Sequence, residues 1–228
     1  MKRYDKERRK PFTSTICAVR PGKVVFAIAG SKLNLSLLQM NVVAGDPAQN
    51  VRRMETMLNE AVRAAKKPDV LLLPELWNTG YALDRIDRLA DAEGKTTRSL
   101  LSDFCRVHQV NIVAGSVAVK TASGVTNTVY VFDRSGRVSA EYAKIHLFRL
   151  MDEDKYLTAG NRPGETTIDG IPAGLMVCYD IRFPELCRNL ALRGANLLFV
   201  PAQWPHPRMH HWRTLLMARA IENQMFVA

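Results

Sequence analysis

Short, continuously apolar segments alternate along this chain with longer segments whose apolar residues recur at helical spacing. Residues 69–74 (DVLLLP) and 195–202 (ANLLFVPA) contain uninterrupted runs of Leu, Val and Phe. Strands in a sheet that is covered on both faces have this pattern. Residues 47–65 instead place their apolar side chains three or four positions apart, which is typical of an amphipathic helix. The alternation predicts an α/β fold with helices layered on sheet.

The same patterns predict the remaining elements of a single domain, residues 32–228. Further strands are expected at 33–40, 110–119, 126–133, 137–144, 174–178 and 224–228. Further helices are expected at 98–108, 184–194 and 208–223, where Pro184 and Gly194 act as start and stop signals. Because the last expected strand meets no turn signal, we expect the domain to be incomplete, truncated at its C-terminus. Residues 1–31 are interpreted as a basic extension that is disordered or has a misassigned start.

Net charge does not favour a nucleic-acid-binding surface on the body of the chain. The formal net charge is +10, but nine of the 32 Lys and Arg and only two of the 22 Asp and Glu fall within residues 1–32. A basic binding face needs clustered positive charge, and the body is nearly balanced. We therefore expect no nucleic-acid and no membrane partner. The extension alone stays open as an arm for either, a hypothesis that predicts binding lost on removal of residues 1–31.

Cysteine usage favours a reducing, cytoplasmic location. Residues 24–30 (VVFAIAG) form the one candidate targeting core, and seven residues is the shortest apolar core expected within a signal peptide. No apolar run approaches the roughly 20 residues of a membrane span. The cysteines lack disulfide-framework or zinc-type spacing, as is typical of free thiols. They are Cys17, Cys105, Cys178 and Cys187.

Three apolar segments end in a chemically reactive residue. Glu75 follows the strand at 69–74, Lys144 closes the hairpin that starts at residue 126, and Cys178 ends GLMVC. In α/β sheets, ligands collect where strands end and loops begin. A thiol beside an ammonium group loses its proton more readily, and a lysine beside a reacting carbonyl stabilises an oxyanion. Glu, Lys and Cys together suffice for acyl transfer through a thioester.

Taken singly, each of these residues has a simpler interpretation. A cysteine after an apolar run is more often a core residue, and a glutamate after proline is usually solvated. A lysine at a strand end is usually a surface charge. Only the sequence around the three residues can therefore distinguish a structural role from a catalytic one.

The three segments resemble the motifs of the carbon–nitrogen hydrolase (nitrilase) superfamily, in the family's order and with similar spacing. They are LLLPELWNTGY, YAKIHLF and GLMVCYDIRFPE, within a resemblance that runs from about residue 33 to 228. The resemblance implies that Glu75 is the base, Lys144 the catalytic lysine and Cys178 the nucleophile. It implies a second glutamate, for which Glu153 is the best match although aspartates flank it.

The resemblance also implies a fold and a mechanism. The fold is a four-layer α-β-β-α sandwich that pairs in homodimers, and no metal or organic cofactor is required. Glu75 takes the thiol proton of Cys178, and the thiolate attacks the amide carbonyl. Lys144 and the backbone N–H of Tyr179 stabilise the oxyanion. Glu75 then protonates departing ammonia and activates the water that hydrolyses the thioester.

Two further stretches resemble particular branches of the superfamily. CYDIRFPEL is similar to ω-amidase-like members, and residues 201–228 are similar to bacterial members associated with methionine salvage, which act on 2-oxoglutaramate or 2-oxosuccinamate. Such a substrate needs a cation for its remote carboxylate, and Arg182 is a candidate bidentate clamp. An ion pair of Arg182 with Asp180 or Glu185 is the alternative. Candidates for the pocket wall, each also explicable as core packing, are Tyr81, Phe148, Tyr179 and Trp204.

Other interpretations are less well supported. His210 and His211, with His206, include a spacing that can bind zinc, but no carboxylate or cysteine completes a ligand set. A Cys–His protease would need His146 as its base. A nitrilase or an N-carbamoyl amidase remains the alternative within the superfamily. A non-catalytic fragment remains the alternative outside it, because members of the superfamily continue some tens of residues beyond the equivalent of residue 228.

Overall fold

A computed structural model of the chain describes residues 23–28 and 31–228, with side chains from residue 32 onwards. Two β-sheets lie at its centre, and helices cover their outer faces. The strands are β1 (Lys23–Ile28), β2 (Ser31–Leu37), β3 (Val70–Leu72), β4 (Asp91–Ala92), β5 (Asn111–Val113), β6 (Val117–Thr121), β7 (Gly124–Phe132), β8 (Val138–Ala143), β9 (Gly164–Ile168), β10 (Ile171–Leu175), β11 (Leu197–Phe199) and β12 (Phe226–Val227). The helices are α1 (Pro47–Val62), α2 (Ile86–Leu89), α3 (Lys95–His108), α4 (Glu153–Tyr156), α5 (Pro184–Leu192) and α6 (Met209–Asn223).

The two sheets divide the chain between them. The first has the strand order β1-β2-β3-β5-β7-β6-β4, with β8 also paired to β7, and the second has the order β12-β11-β10-β9. Strands β2, β3 and β5 run parallel, as do β10, β11 and β12. The carboxyl ends of parallel strands share one edge of a sheet, so residues that follow these strands gather at two neighbouring edges.

Strand β3 shows why its sequence is continuously apolar. Val70 and Leu72 face the second sheet, in a core cluster that includes Phe199. Leu71 and Leu73 face the opposite way, in a cluster formed with helices α1 and α3. Both faces of the strand are therefore buried, as its composition predicts.

Strand β11 repeats this arrangement in the second sheet. Leu197 and Phe199 face the first sheet, whereas Leu198 packs among residues of α5 and α6, such as Leu190 and Leu216. The layers therefore run helix, sheet, sheet, helix. This order confirms the predicted four-layer α-β-β-α sandwich.

The prediction of one strand at residues 110–119 is wrong. The segment forms two strands, β5 and β6, which pair with successive stretches of β7. The chain bends between them at Gly115, whose φ is +58° and where a Cβ would lie 2.0 Å from the carbonyl oxygen of Pro74. Only glycine fits so close an approach with a left-handed backbone. The bend brings Ser116 to the loop after β3, where its N–H donates to Pro74 O and its hydroxyl accepts from Leu76 N–H.

The predicted N-terminal extension, residues 1–31, contains a described strand. Strand β1 falls within the predicted extension and pairs antiparallel with β2, from Lys23 opposite Ser36 to Ile28 opposite Ser31. Its sequence, KVVFAI, is rich in β-branched and aromatic residues, which favour strands. The candidate targeting core at 24–30 therefore overlaps a sheet strand. Apart from Ser31, which begins β2, the rest of the predicted extension, including Cys17, lies outside the described residues. No helix among the described residues is long and apolar enough to cross a membrane.

Candidate active site

The structure brings Glu75, Lys144 and Cys178 together at one end of the sandwich. Glu75 follows β3 and Lys144 follows β8, both in the first sheet, whereas Cys178 lies three residues beyond β10 in the second. Lys144 Nζ lies 2.9 Å from Glu75 Oε1 and 2.8 Å from Glu153 Oε1, and all three side chains are 0% exposed. One buried ammonium group therefore forms ion pairs with two buried carboxylates.

This excess of negative charge determines the protonation of the site. Burial alone favours the neutral form of Lys144, but the charges of Glu75 and its neighbours hold the pKa of this lysine above its ordinary value. Burial and the adjacent Glu75 carboxylate raise the pKa of the Cys178 thiol well above its usual range, and Lys144 offsets this only in part. The resting nucleophile is therefore a neutral thiol beside an ammonium ion, and it needs a base to react.

Two residues that sequence reasoning missed hold Glu75 in place. Asn127 Nδ2 donates to Glu75 Oε1 at 3.0 Å. The backbone N–H of Gln203 donates to Glu75 Oε2 at 2.9 Å, and the Gln203 side chain donates to the Glu75 backbone carbonyl at 2.6 Å. Both carboxylate oxygens are thus fixed by donors. No local pattern marks these partners, because they lie 52 and 128 residues from Glu75.

The structure places Glu153, and neither flanking aspartate, in this cluster. Besides the Lys144 ammonium, Glu153 accepts the Tyr81 hydroxyl at 3.0 Å and the Phe148 N–H at 2.9 Å. Burial and the charges of Glu75 and Glu153 raise the pKa of Tyr81 well above its usual value, so its hydroxyl stays a donor. Asp152 and Asp154 point outward, to Lys155 and Arg149 respectively.

Cys178 begins a 3-10 turn, Cys178–Arg182, and is not the last residue of a strand as predicted. Its φ of +46° lies in the left-handed region, which non-glycine residues seldom adopt. Its N–H donates to Pro201 O at 3.0 Å, and its Sγ lies 3.9 Å from Gln203 O. The turn therefore redirects the chain so that the thiol reaches the cluster around Lys144.

The buried carboxylate of Asp180 braces this turn. It accepts hydrogen bonds from the Val177 N–H at 2.9 Å, the Tyr142 hydroxyl at 2.8 Å and the His146 N–H at 2.9 Å. His146 Nδ1 also lies 2.7 Å from Asp180, and its ring stacks on Phe183 with centroids 3.6 Å apart. His146 is therefore engaged with the turn, and this arrangement does not support it as the base of a Cys–His pair.

A pocket opens onto Cys178. All five residues predicted to contact substrate line it. The lining residues are Tyr81, Phe148, Met151, Cys178, Tyr179, Arg182, Gln203, Trp204, Pro205 and Arg208. The pocket thus combines aromatic walls with two arginines and the thiol, an arrangement suited to a small anionic ligand.

Arg182 contacts two aromatic rings and, among the described residues, does not form the alternative ion pair with Asp180 or Glu185. Its guanidinium lies 5.1 Å from the ring centre of Trp204 and 5.8 Å from that of Tyr179. Asp180 is buried and occupied by other donors, and within the described residues no ion pair joins Arg182 to Asp180 or Glu185. Its charge is therefore available to a ligand.

No group of three or more His, Cys, Asp and Glu side chains suited to a metal ion occurs in the part of the chain that the structure describes. His210 and His211 contact each other edge to face, with ring centroids 6.4 Å apart. The three described cysteines, Cys105, Cys178 and Cys187, are free thiols.

Comparison with known proteins agrees with this geometry. The chain is 48% identical to 2-oxoglutaramate amidase of Bacillus subtilis over 197 residues, which cover 86% of this chain and 75% of that protein. It is similar to a solved CN-hydrolase superfamily protein from Xanthomonas campestris that carries an arsenic adduct in its active site. That similarity has a TM-score of 0.78 and 33% identity, and it covers 86% of this chain and 74% of the other.

A third relative shows covalent chemistry at a cysteine. It is a mutant amidase from Nesterenkonia sp. AN1, in which the acetamide moiety of fluoroacetamide is added covalently at the active site cysteine. Its TM-score is 0.78 at 28% identity, covering 89% of this chain and 77% of that one. The carbon–nitrogen hydrolase family model matches residues 34–228. This chain therefore belongs to the carbon–nitrogen hydrolase family and is a hydrolase that acts on non-peptide C–N bonds.

Proposed function

We propose that the chain is an ω-amidase that converts the terminal amide of a small 2-oxo acid, 2-oxoglutaramate or 2-oxosuccinamate, to carboxylate and ammonia. The observation that carries the proposal is the buried Glu75–Lys144–Glu153 cluster beside Cys178, at the base of a pocket whose charged lining is cationic. The similarity to the Bacillus subtilis 2-oxoglutaramate amidase supports the same substrate.

In the first half-reaction, Cys178 forms a thioester. Glu75 accepts the thiol proton while the sulfur attacks the amide carbon, and the carbonyl electrons move onto oxygen. Lys144 and the backbone N–H of Tyr179 stabilise that oxyanion. Glu75 returns the proton to the amide nitrogen, the C–N bond breaks and ammonia leaves. Because the pKa of the thiol is raised, proton removal has to accompany the attack.

In the second half-reaction, water hydrolyses the thioester. Glu75 accepts a proton from water, the hydroxyl group adds to the thioester carbon, and the C–S bond breaks as Cys178 regains a proton. Lys144 again stabilises the oxyanion. Glu153 does not touch the reacting atoms in this scheme; it holds Lys144 through a 2.8 Å contact.

The pocket orients the substrate by its remote carboxylate. Arg182 binds that group, since a guanidinium matches a carboxylate with two parallel hydrogen bonds. Tyr81, Phe148, Tyr179 and Trp204 form the walls around the carbon chain.

The deciding experiment measures ammonia release from 2-oxoglutaramate by the purified protein and by Cys178→Ala. Activity should fall by roughly 10³-fold or more in the variant, because the covalent step is lost. Cys187→Ala, which removes a buried thiol from the helix layer, is the matched control. Absence of release by protein with a cooperative thermal transition would refute the proposal. A nitrile and an N-carbamoyl amino acid, assayed in parallel, would reveal the alternative activities, and a broad transition would indicate a non-catalytic fragment.

We further propose that the protein is a cytoplasmic homodimer. Apolar residues on the outer surface of α5 and α6 support the dimer: Leu192 is 80% exposed and Ile221 68%. Burial of such residues in a shared interface is favourable. The three free thiols support a reducing compartment. Light scattering should give twice the chain mass, and Ile221→Glu should reduce it to the mass of one chain; a single-chain mass for the unmodified protein would exclude the dimer.

A further inference from the structure

Arg208 lines the substrate pocket but has no role in the proposed chemistry. It is half-buried and lies at the end of a 3-10 turn, His206–Arg208, immediately before α6. Its guanidinium lies 5.7 Å from the ring centre of Phe148, on the pocket wall. With Arg182, it gives the pocket lining two permanent positive charges and no carboxylate.

Within the described residues, neither guanidinium has an acidic partner. The one polar side-chain contact of the pair is between Arg182 and His211 Nδ1, at 3.4 Å. Arg208 has neither an ion pair nor a side-chain hydrogen bond in the same part of the chain. Two unneutralised guanidinium groups that share a small pocket repel each other, so an anionic ligand relieves an existing cost.

Trp204 links the positions of the two arginines. Its ring lies under the Arg182 guanidinium, with 5.1 Å between Arg182 Cζ and the ring centre. Its indole N–H donates to the backbone carbonyl of Arg208 at 2.8 Å. Trp204 therefore contacts both arginine residues, so the positions of the two positive charges are coupled.

The carboxylates nearest to the pocket are already engaged. Glu75 and Glu153 lie at its base, fully buried, and both contact Lys144. Asp152 pairs with Lys155 at 3.0 Å on the outer surface. None of these groups lines the pocket or contacts a guanidinium of the pair. The charged side chains that line the pocket are therefore both positive.

We propose that Arg208 determines substrate specificity by selecting amides that carry a carboxylate but no ammonium group next to it. The proposal rests on the proposed ω-amidase function and deepens it. Arg182 holds the carboxylate, and Arg208 donates to the carboxylate or to the 2-oxo oxygen beside it. An α-amino acid amide such as glutamine has the same length, but it places a positive charge against two guanidinium groups.

The chemistry of the 2-position explains the selectivity. A keto oxygen accepts hydrogen bonds from a guanidinium, which has only donors. An ammonium group also has only donors, so it gains no hydrogen bond there and is repelled by like charge. Glutamine and 2-oxoglutaramate thus differ at the 2-position, which Arg208 contacts in this proposal.

The test compares kcat/KM for 2-oxoglutaramate and for glutamine in the unmodified protein, Arg208→Met and Arg208→Lys. We expect the ratio of the two values to fall by about tenfold or more in Arg208→Met, chiefly through KM for the 2-oxo acid, since a close charge contact contributes more than about 1.4 kcal/mol. Arg208→Lys should restore much of the ratio because it keeps the charge. Arg213→Met, an exposed arginine of α6 that does not line the pocket, is the matched control and should leave the ratio unchanged.

The outcomes separate this proposal from the proposed function. No hydrolysis of 2-oxoglutaramate by the unmodified protein would refute the function itself. Normal hydrolysis with an unchanged ratio in Arg208→Met would refute the role of Arg208 alone. An equal loss for both substrates would also refute it, as would a lysine variant that restores nothing.

Discussion

The two ends of the sandwich carry the same charge arrangement in different surroundings. At one end, Lys144 joins the carboxylates of Glu75 and Glu153 with side chains that are 0% exposed. At the other, Arg134 joins Asp69 and Asp169 at 2.9 and 2.6 Å, with side chains between 27% and 35% exposed. Each cluster has one cation and two anions, so each carries a net charge of −1.

The same strands connect the two clusters. Strand β3 begins after Asp69 and ends before Glu75. Strand β8 follows the turn that contains Arg134, and Lys144 is the residue after its end. Strand β10 begins two residues after Asp169 and leads to Cys178. Three strands therefore run from an ion cluster that joins the two sheets to an ion cluster beside the nucleophile.

Solvent distinguishes the two clusters. Water screens the surplus charge around Arg134, so that end holds the sheets together and does little else. No water screens the surplus charge around Lys144, and burial together with the Glu75 carboxylate raises the pKa of the adjacent thiol. The same numbers of cations and anions therefore stabilise a fold at one end and control proton transfer at the other.

The largest expected effect is that of Lys144→Met. It leaves two buried carboxylates without a cation, which costs about 3–5 kcal/mol in the free energy of unfolding. It also removes the oxyanion partner, so ammonia release should vanish. Urea unfolding and the ammonia assay measure the two effects. An active Lys144→Met protein of normal stability would contradict the proposed role of the buried cluster.

Glu75→Gln should separate activity from stability. The amide keeps the shape of the carboxylate, and Lys144 retains Glu153 as its counter-ion. We expect roughly 10³-fold lower kcat/KM, because the general base is lost. The free energy of unfolding should fall by only about 1–3 kcal/mol, because the amide nitrogen replaces one carboxylate oxygen that accepts a hydrogen bond. Asp69→Asn, at the other end of the same strand, is the matched control and should leave kcat/KM unchanged. Equal activity losses in the two variants would argue against separate functions of the two ends.

Arg134→Met tests the outer cluster directly. The guanidinium donates to Asp69, Asp169 and the carbonyl of Gln109, so its loss should lower the free energy of unfolding by about 1–2 kcal/mol. Activity of the folded protein should stay the same, since the cluster lies a strand length from Cys178. Arg137→Met, which alters a more exposed ion pair in the same turn, should cost less. A larger effect on activity than on stability would show that the outer cluster also affects catalysis.

The smallest effect is a dependence on pH. Although burial raises the pKa of Asp69, hydrogen bonds from Asn34 and Arg134 outweigh it and bring the pKa below 3.8. The stabilisation is therefore complete above pH 3.8 and is lost as the pH falls through the lowered value. The stability difference between the unmodified protein and Arg134→Met should be constant near neutrality and shrink in acid. Unfolding at a series of pH values tests this, and a difference that grows in acid would contradict it.

The sequence predicts the four longer helices, most strands and the grouping of Glu75, Lys144 and Cys178, because each depends on local periodicity or on a motif at a strand end. The four-residue helices α2 and α4 are not predicted, because they are too short to show a helical period. The bend at Gly115 is not predicted, since it depends on a carbonyl 41 positions earlier in the chain, that of Pro74. Asn127 and Gln203 are missed for the same reason, because an amide side chain carries no mark of the distant carboxylate it binds. Arg208 is missed because a basic residue among histidines suggests a metal site more readily than a pocket wall.

The contact of Gln203 with Glu75 also determines when the active site forms during folding. The two residues lie 128 positions apart and belong to loops at the edges of different sheets. During synthesis, Glu75 leaves the ribosome long before its partner does, and closing so long a loop is slow and entropically costly. The base is therefore held in place only after β11 has joined the second sheet. Catalytic activity should appear late in folding, which makes ammonia release a reporter of the final docking of the two sheets.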